Sequence, residues 1–257
     1  MDLQLNKQLF VIGGATRGLG KAVAEQLIAE GALVILVGRT QQKLDALAAA
    51  SSRVETICGD ITQENTIAKI IATIGDRKCV GAVINAGGPP AMPALDTQLQ
   101  DWDNAYHKVV RWKIALTQAL LPKMMENQYG RFLYIESVSV KQPVENLVLS
   151  NAMRLAMVGY VKTLSQEIGT SGVTLNILGP GYHATQRLNS LFDKNSTLKG
   201  VSSQEIKTNF EADTAVKQLG DPKDFATLAA WLLSPYSKYI TGQTITIDSG
   251  LVKGVMG

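Results

Sequence analysis

The sequence predicts a single α/β domain built on one doubly wound parallel sheet. Short apolar runs alternate along the chain with segments whose apolar side chains recur at helical spacing. The runs are hydrophobic throughout, which is typical of parallel strands covered by helices on both faces. At 257 residues, 46% of them hydrophobic, the chain can bury one large core. Because no linker, repeat or low-complexity tract divides it, we predict that residues 1–257 form one domain.

The first predicted strand and helix enclose a cluster of glycines. Residues 9–12 form a short apolar run, glycines follow at positions 13, 14, 18 and 20, and a helical pattern spans residues 21–30. Glycine at 14, 18 and 20 permits positive φ and lets a phosphate lie against bare backbone. The helix N-terminus adds unpaired N–H groups that attract anions. This stretch therefore predicts a dinucleotide site.

The later elements continue the alternation. Further strands are predicted at residues 32–37, 54–58, 80–84, 131–135, 173–177 and 244–247, which gives about seven in all. Helices are predicted at residues 41–50, 62–74, 101–127 and 151–169. The fourth strand stops at a stretch rich in turn formers, residues 85–90. The order of these elements indicates βαβ units of the Rossmann-like type.

Residues 182–219 differ from the rest because they are polar, mixed and interrupted by short runs of small residues. They follow a strand end, where doubly wound folds place their ligands. We predict a mobile lid or substrate loop here, within the same domain. A surface excursion without function is the alternative.

Composition narrows the class of function. Lys and Arg number 25 against 22 Asp and Glu, without a basic tail, so nucleic acid is not an expected partner. No apolar run approaches the length of a membrane span. Cys58 and Cys79 lack metal-ligand spacing, and we predict two buried structural thiols, no metal site and a cytoplasmic location.

Taken together, these motifs resemble the short-chain dehydrogenase/reductase family, and within it the 3-oxoacyl carrier-protein reductases. The resemblance covers nearly the whole chain. It includes the glycine loop at residues 13–20, the Asn-Ala-Gly element at residues 85–87, the Pro-Gly pair at 180–181 and the closing segment at residues 239–250. The resemblance implies an oxidoreductase that uses a nicotinamide cofactor on a carbonyl or alcohol group.

The same resemblance implies which residues contact the cofactor. Three groups carry it: the glycine loop, the ends of strands two to four, and the segment after strand six. The implied residues are Gly14, Thr16, Arg17, Gly18, Leu19, Gly20, Arg39, Asp60, Ile61, Asn85, Ala86, Gly87, Arg154, Pro180, Gly181, His183 and Thr185. Among them Asp60 corresponds to the family's adenine-contacting Asp.

The residue at the end of strand two decides between NAD and NADP. An acidic side chain there bonds the ribose 2′-hydroxyl of NAD, whereas a basic one suits the 2′-phosphate of NADP. This chain has Arg39 at that position, and Arg17 in the glycine loop adds a second guanidinium on the same side. We therefore predict a preference for NADP(H) over NAD(H). The alternative is that both arginines are solvated surface charges.

The implied active site departs from the family pattern. The family's catalytic Ser corresponds to Ser137, but its Tyr and Lys positions hold Ser150 and Arg154. Val109 stands at the family's Asn position and Gly13 at its Thr position. A serine hydroxyl is far less acidic than a phenol, and an arginine stays protonated, so it cannot act as a base. The proton-transfer groups of the family are therefore altered here.

Two neighbouring residues are candidates for the missing proton donor. Tyr182 and His183 directly follow Gly181, and an imidazole titrates near neutral pH. The alternative for His183 is a lid residue that points to solvent. His107 is predicted as a residue of the helix surface, and neither Glu136 nor Ser139, which flank Ser137, receives a role.

Two functions remain open at this point. The first is an NADP(H)-dependent oxidoreductase with an altered proton-transfer apparatus. The second is a catalytically dead NADP(H)-binding scaffold or sensor. The long helices at 101–127 and 151–169, the latter with Leu155, Val158, Val161 and Leu164, together with the apolar tail 251–257, resemble family contact surfaces and predict a homotetramer.

Overall fold

The computed structural model describes residues 1–255, and these contain one seven-stranded parallel sheet. Its strands are β1 (Leu9–Gly13), β2 (Leu33–Gly38), β3 (Val54–Cys58), β4 (Cys79–Ile84), β5 (Gly130–Ile135), β6 (Val173–Pro180) and β7 (Thr244–Ile247). Their spatial order is β3-β2-β1-β4-β5-β6-β7, and each neighbouring pair is parallel. The predicted fold class is confirmed.

Helices connect the strands. They are α1 (Gly18–Ala29), α2 (Gln41–Ala50), α3 (Glu64–Ile74), α4 (Leu99–Tyr106), α5 (Trp112–Glu126), α6 (Val148–Glu167), α7 (Gln186–Lys199), α8 (Ser203–Asp213) and α9 (Pro222–Leu233). A π-helical turn, His107–Arg111, joins α4 to α5. The helix predicted at residues 101–127 is therefore interrupted, and helical periodicity alone does not show such a turn.

Two apolar layers hold the helices against the sheet. On one face Ile70 of α3, Leu116 of α5 and Met157 of α6 pack in a single cluster with strand residues. On the other face Leu27 of α1 and Phe225 of α9 do the same. Because both faces are covered, the central strands are buried along their whole length and read as continuous apolar runs.

Residues 182–219 hold the helices α7 and α8 instead of an irregular loop. The two helices pack on each other through a small apolar cluster of their own, in which Leu188, Phe192 and Ile206 are buried. Thr185 and Ser202 are the N-caps, and Gly200 ends α7 with positive φ. We call this helix pair the lid, and its functional role stays a prediction.

The prediction for Cys58 is wrong. Its thiol is free and exposed, whereas that of Cys79 is free and buried. β3 is an edge strand that pairs only with β2, so the side chain at its end lacks a second covering layer.

No helix among residues 1–255 is long and apolar enough to cross a membrane.

Candidate active site and cofactor cleft

The strand order reverses between β1 and β4, and the candidate site lies at the carboxyl ends of these two strands. β1 leads into β2 on one side of the sheet, and β4 leads into β5 on the other. The helices that follow diverge at such a point, which leaves a crevice above the strand ends. Gly13 ends β1 and Asn85 follows β4, so both lie at the floor of this crevice.

The glycine loop packs too tightly for side chains. Gly14 has a φ of 60°, and a Cβ atom on it would lie 2.7 Å from Asn85 Nδ2. A Cβ on Gly20 would lie 2.4 Å from the carbonyl oxygen of Gly14. Asn85 Nδ2 in turn donates a hydrogen bond to the Gly13 carbonyl at 3.2 Å. Close backbone approach therefore explains why these positions are glycines.

Gly13, where the family has a threonine, has a local physical reason. A Cβ atom there would lie 2.5 Å from the carbonyl oxygen of Asn85 and 2.9 Å from Cδ1 of the buried Ile61. The end of β1 thus lies closer to the residue that follows β4 than a side chain at position 13 allows. A threonine would push the two strands apart.

The first turn of α1 is left open for an anion. Arg17 is its N-cap, but no side chain caps the helix and its first turn contains no acidic residue. Gly18 has a φ of 56°, and a Cβ atom on it would meet only Thr185 at 3.7 Å. Unpaired N–H groups beside bare glycine backbone fit the diphosphate of a dinucleotide. Leu19, in this first turn, packs against the apolar core and so holds the start of α1 in place.

Arg39 and Arg17 each adjoin one of two backbone segments that contact each other. Thr16 lies against Gly38, where a Cβ atom would be 2.6 Å from Thr16 Cγ2, and Arg39 is the next residue. The backbone N–H of Ala15 donates to Val37, which ties the glycine loop to the end of β2. Both arginines are exposed. This arrangement fits the phosphate of an NADP ribose.

The remaining predicted cofactor residues lie at or just after the carboxyl ends of β3, β4 and β6. Asp60 accepts hydrogen bonds from the backbone and hydroxyl of Thr62 through Oδ1, which leaves its other oxygen available. Ala86 packs on the core and Gly87 is exposed. Pro180 ends β6, and Gly181 lies so close to Asp248 that a Cβ would come within 2.7 Å of its Cα. These contacts bring the end of β6 beside β7.

Ser137, Ser150 and Arg154 meet at the end of β5. Arg154 Nε donates to Ser150 Oγ at 3.0 Å, and Arg154 Nη1 donates to the Glu136 carbonyl and to Glu136 Oε2, both at 2.9 Å. Ser137 directly follows Glu136, and its hydroxyl oxygen accepts from the backbone N–H of Ser139. The sequence-predicted trio therefore shares one place, with Arg154 fixed by three groups. Val109 is buried in the apolar core.

Glu136 and Lys113 are site residues that the sequence prediction missed. Lys113 Nζ donates to Glu136 Oε1, so the one carboxylate pairs with Lys113 and Arg154 at once. Lys113, Glu136 and Arg154 are 3%, 4% and 7% exposed. Burial lowers the pKa of Lys113 to about 8, although the charge of Glu136 opposes the shift. We call these residues the buried charge triad.

Tyr182 and His183 form their described contacts with residues outside this trio. Tyr182 packs on Phe210 of the lid with ring centroids 4.6 Å apart, and its burial raises the pKa of the phenol. His183 is 5% exposed, so the alternative that it points to solvent is wrong. Its ring lies edge-on to Phe225, and Nδ1 is 3.3 Å from the Gly181 carbonyl. Burial lowers the pKa of His183, which leaves the imidazole neutral at pH 7 and poorly suited to donate a proton.

The buried His183 predicts a pH dependence of stability. Because its pKa is lower in the folded than in the unfolded protein, the unfolded chain binds the proton more readily. The free energy of unfolding should therefore fall as the pH drops below about 6.5, by at most about 1.4 kcal/mol per pH unit from this group. We expect His183→Gln to lose that slope in urea titrations between about pH 5 and pH 7. His107→Gln, which changes the exposed histidine, should keep it.

Comparisons with known proteins agree with this architecture. The family model described as "Enoyl-(Acyl carrier protein) reductase" matches residues 14–252. The chain is 29% identical to the 3-oxoacyl-[acyl-carrier-protein] reductase FabG of Rickettsia bellii over 97% of this chain and 99% of that protein. It is 28% identical to the short-chain reductase protein NovJ of Streptomyces niveus, over 93% and 92% of the two chains.

A solved structure shows the same fold. It is L-sorbose reductase from Gluconobacter frateurii, complexed with NADPH and L-sorbose, with a TM-score of 0.93 and 21% identity over 99% of this chain and 100% of that chain. Within residues 1–255 no group of three or more His, Cys, Asp or Glu side chains is placed to bind a metal. The family match, the glycine loop and the sheet order lead to one conclusion: the chain belongs to the short-chain dehydrogenase/reductase family of oxidoreductases.

Proposed function

We propose that this protein is an NADP(H)-dependent oxidoreductase that acts on a carbonyl/alcohol pair and resembles the 3-oxoacyl reductases. The observation that carries the proposal is the open first turn of α1, framed by Gly14, Gly18 and Asn85, the residue that follows β4. The names of the relatives, which are reductases, support it. The cytoplasmic location stays a prediction.

Each part of the cofactor has a matching group in the cleft. Arg39 and Arg17 would hold the 2′-phosphate, the first turn of α1 the diphosphate, and Asp60 the adenine. When bound, the nicotinamide supplies or accepts a hydride. Arg154 Nη1 and Nε are engaged with Glu136 and Ser150, so Nη2 is the nitrogen left to face a ligand in the cleft. Positioning of the substrate carbonyl falls to the hydroxyl of Ser137.

Proton transfer is the weak part of this site. Ser150 Oγ accepts a hydrogen bond from Arg154 and has no acidity near neutral pH. Arg154 stays charged and cannot supply a proton. Loss of a positioned general acid costs about 10²–10⁴ in rate. Slow turnover on ordinary family substrates is therefore expected.

A second function is favoured by the same contacts. Ser150 and Arg154, at the family's Tyr and Lys positions, bond to each other, and Arg154 also bonds to the buried Glu136, so they form a structural network. A chain that binds NADP(H) without chemistry, as a scaffold or sensor, needs no more than this. In that case the role of Glu136 would be only to stabilise the conformation that binds the cofactor.

One experiment separates the two functions. NADPH binding is measured by fluorescence, and NADPH oxidation is followed over a panel of ketones and 3-oxoacyl thioesters. Binding with carbonyl-dependent oxidation supports the oxidoreductase. Binding without oxidation of any carbonyl supports the scaffold, and absence of NADPH binding contradicts both.

Replacement of Arg39 should weaken the preference for NADPH over NADH. Arg39→Asp removes a charge-assisted contact to the 2′-phosphate, which is worth about 1.5–3 kcal/mol. We expect the dissociation constant of NADPH to rise by about tenfold or more, with little change for NADH. Fluorescence titration of both cofactors measures this. Arg53→Asp, at the opposite end of the β2–β3 pair, is the charge-matched control, and equal effects of the two variants would contradict the assignment.

We further propose a homo-oligomer, with a tetramer as the expected state. The exposed apolar surface of α6 is smaller than the sequence suggested, because Val161 is 1% exposed and belongs to the core. Leu155 is 47% exposed, and Val158 and Leu164 are half-buried. Part of the predicted tail, residues 256–257, lies outside the described residues. Light scattering that finds only a 27.6 kDa particle would contradict this proposal.

A further inference from the structure

Two guanidinium groups in the cleft have donors that the protein does not use. Arg154 donates hydrogen bonds from Nε to Ser150 and from Nη1 to Glu136. Among the described residues, no hydrogen bond uses its Nη2. Arg187, in the first turn of α7, is exposed and forms no ion pair or hydrogen bond within residues 1–255. The two side chains come from different elements, one from α6 and one from α7 of the lid.

These donors converge beside Gly88. A Cβ atom on Gly88 would lie 3.1 Å from Arg154 Nη2, 3.8 Å from Arg187 Nη2 and 4.0 Å from Arg187 Nη1. Gly88 has no side chain, so the space between the two guanidinium groups is left open. A small group placed there would reach donors of both arginines. Planar N–H forks of this kind match the oxygens of carboxylates and phosphates.

The local charge is positive, because Arg154 shares its carboxylate with Lys113 and no ion pair of the described residues involves Arg187. Loss of hydration, together with the charges of Arg154 and Arg17, lowers the pKa of Arg187. The one carboxylate that pairs with Arg154, Glu136, already holds Lys113 with its other oxygen. Like charges held close together repel, and a bound anion removes that repulsion. The arrangement therefore favours an anionic ligand over a neutral one.

We infer that Arg187 and Arg154 form an anion site beside Gly88, which binds a carboxylate or phosphate group in the active-site cleft. The inference deepens the proposed oxidoreductase function and rests on it. The anion has two possible sources. One is an acidic group of the substrate, which would make the substrate an anionic carbonyl compound. The other is the diphosphate of the cofactor, held from the lid side.

Arg187→Gln tests the site because the side chain is exposed and outside both apolar cores. Arg53→Gln is the matched control for loss of one positive charge far from the cleft. Four quantities are compared with the native chain: the dissociation constants of NADPH and inorganic pyrophosphate, and the KM values of acetoacetate and of its neutral methyl ester. Arg187→Lys, which keeps the charge and loses the fork, should fall between native and Arg187→Gln.

The four measured quantities distinguish the two possible sources of the anion. A KM for acetoacetate raised about tenfold or more, with the methyl ester and NADPH unchanged, assigns the anion to the substrate. A similar rise in the dissociation constants of NADPH and pyrophosphate, with the acetoacetate KM unchanged at saturating NADPH, assigns it to the cofactor. Changes in all four quantities within about twofold, as expected for Arg53→Gln, overturn the inference.

Failure of the proposed function is recognised separately. If the native chain oxidises no NADPH in the presence of any carbonyl tested, the KM comparison is not possible. The binding of acetoacetate and of pyrophosphate is then measured by calorimetry instead. Binding of either anion that weakens about tenfold in Arg187→Gln then supports the anion site, although the oxidoreductase function has failed. Equal binding by native and variant chains, or binding of neither anion, overturns the site itself.

Discussion

Glu136→Gln is expected to lower the free energy of unfolding by about 3–5 kcal/mol. The carboxylate of Glu136 is the shared partner of Lys113 and Arg154, and all three side chains are buried. An amide keeps the shape but loses the charge, so two buried cations are left facing each other without an anion. Urea unfolding measures the loss, and a fall in melting temperature of about 2–4 °C per kcal/mol should accompany it.

Two further variants show whether the triad is the cause. Glu126→Gln removes the exposed partner of Lys123 and should change the free energy of unfolding by no more than about 1 kcal/mol. Adding Lys113→Met to Glu136→Gln removes one of the two unpaired cations and should recover part of the loss. If Glu136→Gln lowers the free energy of unfolding no more than Glu126→Gln does, the buried charge triad does not stabilise the site.

The sheet could be predicted because its strands carry a simple signal. Strands such as β1 and β4 are buried on both faces, so every residue in them is apolar and the run stands out from the helices. Helix ends were less certain. The start of α1 is Gly18 and not Lys21, because the glycines that mark the turn also form the first helical residues. Glycine signals a turn more strongly than it signals a helix.

The helix α9 was missed although its sequence contains the usual signs. Asp221 caps it by accepting from the N–H of Lys223, Pro222 stands in its first turn, and Phe225 packs inward. These are ordinary start signals for a helix. The lid helices are harder to predict, because α7 and α8 are mostly polar and bury only a few residues, Leu188, Phe192 and Ile206.

The sequence signal for the glycine loop is stronger than the signal for the buried charge triad. Glycine spacing is local in sequence, whereas the pairing of Lys113 with Glu136 joins residues 23 positions apart on two elements. Lys113 lies near other basic residues of its helix, so burial was not evident. The sequence signal for this pair was Glu136, a charged residue next to Ser137 and directly after a buried strand. The structure adds that Arg154 is fixed in place by that carboxylate.

Ser150→Tyr should raise turnover on a reactive ketone by about 10²–10⁴, because it restores a phenol as general acid. Arg154 would remain beside it, since Glu136 holds Nη1, and a neighbouring cation lowers the pKa of a phenol. We therefore expect most of the gain from this single change, with Ser150→Tyr/Arg154→Lys adding little more. NADPH oxidation at saturating cofactor measures it.

Ser150→Phe is the matched control, because it has nearly the bulk of tyrosine without the hydroxyl, and it should show no gain. Ser137→Ala in the Ser150→Tyr background should abolish the gain if Ser137 positions the carbonyl. A native turnover within the usual range of about 1–10³ per second would mean that another group already supplies the proton. A Ser150→Tyr chain that binds NADPH normally yet reduces no carbonyl would instead favour the scaffold, since the restored acid would then meet no bound substrate.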